Sequence, residues 1–357
     1  MKNILSLLII LLILSISCSK DDSSPQKINI DWNFSALCLT SDGGILTTGS
    51  RSETGIVISK FDENCNLEWN ETGYSWGTVS TPTSHPPAEL KVVKAIEVEE
   101  NNFVLICRLS DDFFGVYSYF LVKIDSYGKQ LWEKGIYQGA WPIHSVKTEN
   151  GFAGMEEYRP HELINIDEEG ILVNTSNLTE IEKQNVEKFA YNSESDNVII
   201  ITKTDTVSAF KRYEYSLSGD LINKIEYNIN FDSMNLNYNK HNSFILTDNK
   251  GIIFTGRTND SENLIMRINE SSEISWIKNL DRNSNIYLQS ISDNEFLCKS
   301  SSNILYLDYE GELLGSKDIT EDEKLFFQNN EFVFQLFLDD DKSYWVTKIP
   351  FNEFFSD

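Results

Sequence analysis

Lys60-Phe61-Asp62-Glu63-Asn64-Cys65-Asn66-Leu67-Glu68-Trp69 has two close echoes further along the chain. One is Lys123-Ile124-Asp125-Ser126-Tyr127-Gly128-Lys129-Gln130-Leu131-Trp132 and the other is Arg267-Ile268-Asn269-Glu270-Ser271-Ser272-Glu273-Ile274-Ser275-Trp276. In each, a cation precedes an apolar residue and an Asp or Asn, and a Trp stands nine places after the cation. Weaker copies are centred on Ile166-Asp167 with Gly170, Tyr215-Ser216 with Gly219, and Leu307-Asp308 with Gly311. A truncated seventh is Lys348-Ile349-Pro350. From position 62 to position 350 the slots lie 63, 42, 49, 53, 39 and 42 residues apart. That spacing is the size of one propeller blade, about 40 to 50 residues.

Each copy has a simple physical reading. The apolar run before the acid, such as Ile56 to Phe61 or Tyr119 to Ile124, is a strand. In Asp/Asn-x-x-Gly the side chain bonds its own backbone and Gly supplies a positive φ, so the chain turns back on itself. The Leu/Trp segment is the returning strand. A second hairpin precedes the first, with Ser41-Asp42-Gly43-Gly44 between Leu37-Cys38-Leu39 and Ile45-Leu46-Thr47. Asn249-Lys250-Gly251, Glu100-Asn101-Asn102 and Asp293-Asn294 play the same part elsewhere. Four hairpin-linked strands, repeated, predict an all-β chain folded as a β-propeller.

Seven third strands are counted but only six are followed by a fourth. Ile28-Asn29-Ile30-Asp31-Trp32-Asn33 matches Asn66 to Asn70 in spacing, with Trp32 over Trp69. The expectation is seven blades, with this N-terminal strand completing the last one beside 332–338 and 344–349. Closure leaves no open sheet edge between the ends of the ring. The degenerate copies near 167 and 216 keep six or eight blades as alternatives. The one helical pattern runs from Leu178 to Phe189, as a short insert.

Asp42-Gly43-Gly44-Ile45-Leu46-Thr47-Thr48-Gly49, followed by Lys60 through Trp69, resembles the blade motif of bacterial lipoprotein propellers of the quinoprotein-like (PQQ-like repeat) superfamily. Gly251 to Gly256 with Arg267 through Trp276 is the next best match, and Cys65 stands where the turn glycine is expected. The resemblance covers residues 28–350 and is carried by structural motifs, so it implies a fold and no chemistry. Quinone-dependent enzymes of that superfamily space the Asp and Gly differently and need a calcium site and cofactor-stacking residues that this sequence does not display. No cofactor and no metal site are expected.

The N-terminus indicates location. Lys2 is followed by an apolar run from Ile4 to Ile16, then Ser17-Cys18 and a polar stretch. The run is shorter than the ~20 residues of a spanning helix and fits a secretory signal. Cys18 after a small residue resembles the lipobox of bacterial lipoproteins, which implies a signal at 1–17, lipidation of Cys18, a tether over 18–27 and a propeller domain over 28–357. Ser19-Lys20-Asp21-Asp22 resembles an acidic tag for the outer cell surface, so the expected location is the outer membrane, exposed at the cell surface or facing the periplasm.

The formal charge of −25 excludes nucleic acid as a partner, because that would need a basic footprint. Membrane contact is then through the lipid alone. Of five cysteines, Cys38, Cys65, Cys107 and Cys298 are far apart; the spacing excludes a zinc cluster and leaves disulfide pairing open. Cys38, Cys107 and Cys298 sit among apolar residues and read as buried small hydrophobes. No phosphate loop, nucleophile elbow or His-Glu-x-x-His helix occurs.

Chemistry is sought on the face formed by the loops that lead into the innermost strands and those between second and third strands. Unusual residues gather there on the first three blades. One loop carries Tyr74, Trp76 and His85; others carry Phe113, Phe114 and Tyr117, then Tyr137 and Trp141, with Tyr158 and Arg159 alongside. Aromatic rings on one face suit a platform for a glycan, a peptide or an envelope protein. His85 and His144, meeting Glu156 or Glu157, are the candidates for general acid–base work in the rival reading, a hydrolase or lyase acting on polysaccharide. The leading expectation is a non-catalytic binding protein, and a scaffold subunit of an envelope complex is the third reading.

Overall fold

The structure, a computed structural model, describes residues 26–28, 33–51, 55–74, 89–99, 101–111, 116–138, 144–155, 162–181, 185–203, 209–229, 236–237, 243–247, 250–258, 262–280, 286–319, 324–328, 331–338 and 344–356. Seven antiparallel sheets follow one another along the chain. Blade 1 is β2 (Asn33–Leu39), β3 (Ile45–Arg51), β4 (Gly55–Phe61) and β5 (Leu67–Tyr74). Blade 2 is β6 (Glu89–Glu99), β7 (Asn102–Asp111), β8 (Val116–Ile124) and β9 (Gln130–Gln138). Blade 3 is β10 (His144–Thr148), β11 (Gly151–Met155), β12 (Glu162–Asp167) and β13 (Leu172–Asn177). Blade 4 is β14 (Asn185–Asn192), β15 (Asn197–Lys203), β16 (Ala209–Ser216) and β17 (Leu221–Asn228).

Blade 5 has its first strand in two pieces, β18 (Leu236–Asn237) and β19 (Phe244–Leu246), both paired with β20 (Ile252–Thr258), then β21 (Asn263–Ile268) and β22 (Ile274–Leu280). Blade 6 is β23 (Tyr287–Ser292), β24 (Glu295–Lys299), β25 (Asn303–Asp308) and β26 (Leu313–Asp318). Blade 7 takes β27 (Lys324–Gln328), β28 (Phe332–Leu338) and β29 (Tyr344–Pro350) from the C-terminal end and β1 (Gln26–Ile28) from the N-terminal end. β1 runs antiparallel to β29, with Gln26 opposite Val346 and Ile28 opposite Tyr344. The fold is therefore the seven-bladed propeller read from the repeats, closed by its first strand. That strand lies earlier than the spacing suggests: Asn33 already belongs to β2, paired with Ser50.

The helical expectation for 178–189 is overturned. Thr179–Ile181 is a single 3-10 turn, and Phe189 lies in β14 opposite Ile200. Leu178, Ile181 and Phe189 share a buried cluster with Val198 and Ile200. The apolar spacing that mimics a helix is thus a turn plus a bulged strand, the register shifting between Val186 and Lys188. A helix appears instead at the far end, as α1 (Phe351–Phe354).

Burial peaks in the middle strands of a blade and is least in the outermost one, and composition follows. β15 and β21 are buried along almost their whole length, whereas the outermost strands β13, β22 and β26 alternate between exposed and half-buried residues. Middle strands have a neighbouring blade on both faces, so they read as continuous apolar runs; the outer strands touch a neighbour on one face only.

Candidate functional site

The repeated turn is a structural device. In every one of the six complete copies the residue three places after the acid has positive φ: Cys65 (62°), Gly128 (81°), Gly170 (73°), Gly219 (90°), Ser272 (67°) and Gly311 (83°). Asp62 Oδ1 accepts from the backbone N of Asn64 and Asn66, Asp125 and Asp167 make the same pair of bonds, and Asn269 and Asp308 accept from the backbone N four places on. In blade 4 Ser216 Oγ substitutes, accepting from Asp220 N at 3.0 Å.

The carbonyl one place after the acid is the docking point for the preceding blade. Trp69 Nε1 donates to Ser126 O (2.6 Å), Trp276 Nε1 to Tyr309 O (2.8 Å) and Asn174 Nδ2 to Leu217 O (3.1 Å). Lys123 Nζ reaches Glu168 O (3.0 Å), Arg267 Nη1 reaches Tyr309 O (2.8 Å), and Lys348 Nζ reaches Glu63 O (2.8 Å) across the seam that closes the ring. The Trp69, Trp132 and Trp276 rings also pack under the turn glycines of the next blade, Gly128, Gly170 and Gly311. In blade 6 the Trp slot is Gly315, and Phe355, just beyond α1, fills the space and stacks with Tyr306.

The repeat cations are therefore internal latches, a role that the sequence pattern marked by position without revealing. Lys60 is almost fully buried, with Nζ 2.6 Å from both Asp42 Oδ2 and Glu68 Oε2. Burial works against its charge, but the bonds to Asp42 and Glu68 outweigh it and raise its pKa. Asp42 is also penalised by burial, and bonds from Lys60, Thr40 and Gly44 carry its pKa down. Lys123 bonds Glu99 Oε1 at 3.0 Å, and buried Arg212 bonds Glu214 at 2.8 Å. Lys348 lies 3.9 Å from the Phe332 ring centroid, a cation–π contact inside the closing blade.

These bonds occupy the face that carries the tight turns. Of the candidates named from sequence, Tyr74, Tyr117, Tyr137 and His144 have described backbones, at the strand ends that lie away from those turns. Tyr74 pairs with Ile56, Tyr117 with Ser110 and His144 with Met155 through the backbone, and Tyr137 lies in β9. Their side chains fall outside the described residues. So do all of Trp76, His85, Phe113, Phe114, Trp141, Glu156, Glu157, Tyr158, Arg159 and the lipidation candidate Cys18.

Cys38, Cys65, Cys107 and Cys298 are all free. Burial pushes the thiols of Cys38 and Cys65 up to about 11 and that of Cys298 to about 12, so they sit protonated as small hydrophobes. Cys65 also packs with Ile45, Phe61 and Phe334 at the closing seam, a contact a glycine in that turn could not make.

No family model matches the chain, and comparison with curated proteins finds no match. Among solved structures, the chain is similar to Raptor from Chaetomium thermophilum over 91% of its length, at 11% identity and a TM-score of 0.52. It is also similar to BamB from Moraxella catarrhalis (10% identity, TM-score 0.47, 88% of this chain and 85% of that one). A third is the acylaminoacyl peptidase of Pyrococcus horikoshii (13% identity, TM-score 0.43, 71% of this chain). The chain spans 28% of the Raptor chain and 44% of the peptidase chain. Such likenesses speak to fold alone, and the fold they accompany is the β-propeller.

Proposed function

We propose that this chain is a lipid-anchored outer-membrane propeller that binds a glycan, a peptide or a partner protein without catalysis, through the face loops of blades 1 to 3. One observation carries the reading. The turn face spends its polar groups on seam bonds such as Trp69–Ser126, Lys123–Glu168 and Lys348–Glu63, which leaves the opposite face free to vary. The loops of that face hold the aromatic residues Trp76, Phe113, Phe114 and Trp141. The test is glycan-array and peptide-array binding by the protein and by Trp76→Ala and Trp141→Ala. Binding that falls at least tenfold in either variant supports the reading, and binding indifferent to both refutes it. For the anchor, Cys18→Ser should move the protein from the membrane to the soluble fraction; a variant still firmly bound to membranes overturns the lipid reading.

A second reading, a scaffold, is favoured by the rim. Leu67, Leu131, Leu172, Leu221, Ile274 and Leu313 are each exposed at the start of a fourth strand. Blades 3 and 4 add Ile171, Val173 and Ile222. Apolar side chains repeated at one rim position in six blades supply the apolar area that a docked partner would cover.

A further inference from the structure

Strand register assigns one level of the inner wall in every blade. The first strand of each blade stands at the free edge of its sheet, and first strands pack on their neighbours: β2 on β6, β6 on β10, β10 on β14, and β19 on β23. In the second strands, Ile45, Phe103, Phe152, Val198, Ile252, Phe296 and Val333 occupy one slot, each opposite the residue before the turn acid or its counterpart. Three residues on, the paired first-strand residues are Ala36, Lys94, His144, Lys188, Tyr287 and Lys324. In blade 5 Ser243 holds that place, its carbonyl accepting from Thr255 N. Three lysines and a histidine share the level with no carboxylate, in a chain whose formal charge is −25.

Two of these lysines can be followed to their side chains. Lys94 and Lys188 each follow a bulge, after Val92 and Val186 respectively, and flank the first strand of blade 3 from either side. Lys94 Nζ donates to the Ser145 carbonyl. Ser145 is 3% exposed, and its hydroxyl has no hydrogen-bond partner among the described residues. Both lysines are half-buried. Burial lowers the pKa of each, and repulsion from Lys188 lowers that of Lys94 further. The thiol of Cys38, also near Lys94, is held neutral by burial and supplies no counter-charge. Two partly desolvated ammonium groups that repel one another are costly to hold together unless an anion joins them.

We propose that the channel of this ring is an anion site in which Lys94 and Lys188, with the Ser145 hydroxyl beside them, receive a carboxylate or phosphate group of a ligand, at the level that Lys324 and His144 share. The site is argued from these strand residues alone and does not depend on the aromatic loops.

The test is calorimetric titration of the whole protein, at constant ionic strength, with inorganic phosphate, with D-galacturonate and with neutral D-galactose. At least one anion should bind, with phosphate alone marking a phosphorylated ligand and galacturonate alone an acidic sugar. Lys94→Met and Lys188→Met should each weaken that binding by about tenfold or more, while Lys94→Arg stays within about threefold of the parent. Galactose binding that survives both Met variants would belong to the other face and leave this site's result intact. Neither anion binding at ~10 mM, or Met variants that bind like the parent, would overturn the proposal. Should the Met variants fail to fold, the parent decides. A melting temperature raised by phosphate or galacturonate but not by chloride of equal ionic strength supports the site, and no difference refutes it.

Discussion

Gly128→Ala and Gly43→Ala make a matched pair that isolates what the Trp seam contributes. The two glycines have nearly the same backbone, φ 81° and 82°, so an added methyl meets the same left-handed strain, about 1–2 kcal/mol. Their surroundings differ. At Gly43 the nearest atom to a new Cβ is Glu63 Cβ at 3.4 Å, an ordinary contact. At Gly128 it is Trp69 Cζ3 at 2.8 Å, with Cε3 and Glu71 Cγ at 3.1 Å. The Trp69 ring must move by several tenths of an ångström, and its 2.6 Å bond to Ser126 O moves with it. Overpacking of this kind costs about 1–3 kcal/mol, and a weakened hydrogen bond adds about 1 kcal/mol. Gly43→Ala should therefore cost about 1–2 kcal/mol and Gly128→Ala about 3–6 kcal/mol, measured by urea unfolding followed by circular dichroism with the m-value unchanged. In a Trp69→Ala background the ring is gone, so Gly128→Ala should fall back to about 1–2 kcal/mol, a coupling of about 2–4 kcal/mol. Equal losses at the two glycines, or strictly additive losses in the double variant, would refute the seam as a packed joint.

Three further outcomes follow from the same geometry. The folded pKa of Asp42 is depressed, so its bond to Lys60 stabilises the fold above the unfolded carboxylate value of ~3.9 and is lost as pH falls through the folded value. Lys60→Met should flatten that acid limb of a stability–pH curve, and a limb of unchanged steepness argues against the latch. Deleting residues 26–28 should lower the melting temperature of the whole protein by several degrees, because β29 loses its outer partner; an unaltered melting curve would mean that closure carries no weight. Phe355→Ala should destabilise by about 1–3 kcal/mol, since that ring fills the gap over Gly315, and Gly315→Trp together with Phe355→Ala should recover part of the loss. No recovery in the double variant would show that the two residues do not share one space.

The fold was legible because its turns are chemically demanding. Asp125 and Gly128 announce a turn that few other residues can make, and the repeat survives even where Ser216 replaces the acid and Ser272 the glycine. Apolar periodicity was less informative. Leu178, Ile181 and Phe189 fit a helix as well as they fit a turn and a bulged strand, and only the packing against Val198 and Ile200 decides between them. Sequence spacing puts the first strand a few residues late, because Ile28 and Trp32 copy the spacing of a fourth strand, whereas pairing selects Gln26–Ile28. The cations at 60, 123, 267 and 348 are visible as a pattern, but apart from Glu68, which shares the hairpin of Lys60, their partners lie on other hairpins or on the next blade and cannot be read from local sequence. The lysines at 94, 188 and 324 share no motif at all. Their common level exists only in the register of separate sheets, two of them shifted by bulges.

Blade 7 is assembled from both ends of the chain, and Lys348 bonds Gly43 O across a sequence separation of 305 residues. A ribosome or an export channel delivers those two surfaces at opposite extremes of the same journey, so six blades can stack while the ring still gapes. The final join is the slowest contact to find, since it links the most distant parts of the polymer. A chain cut short before residue 344 would leave the rest of the ring with nothing to shut against.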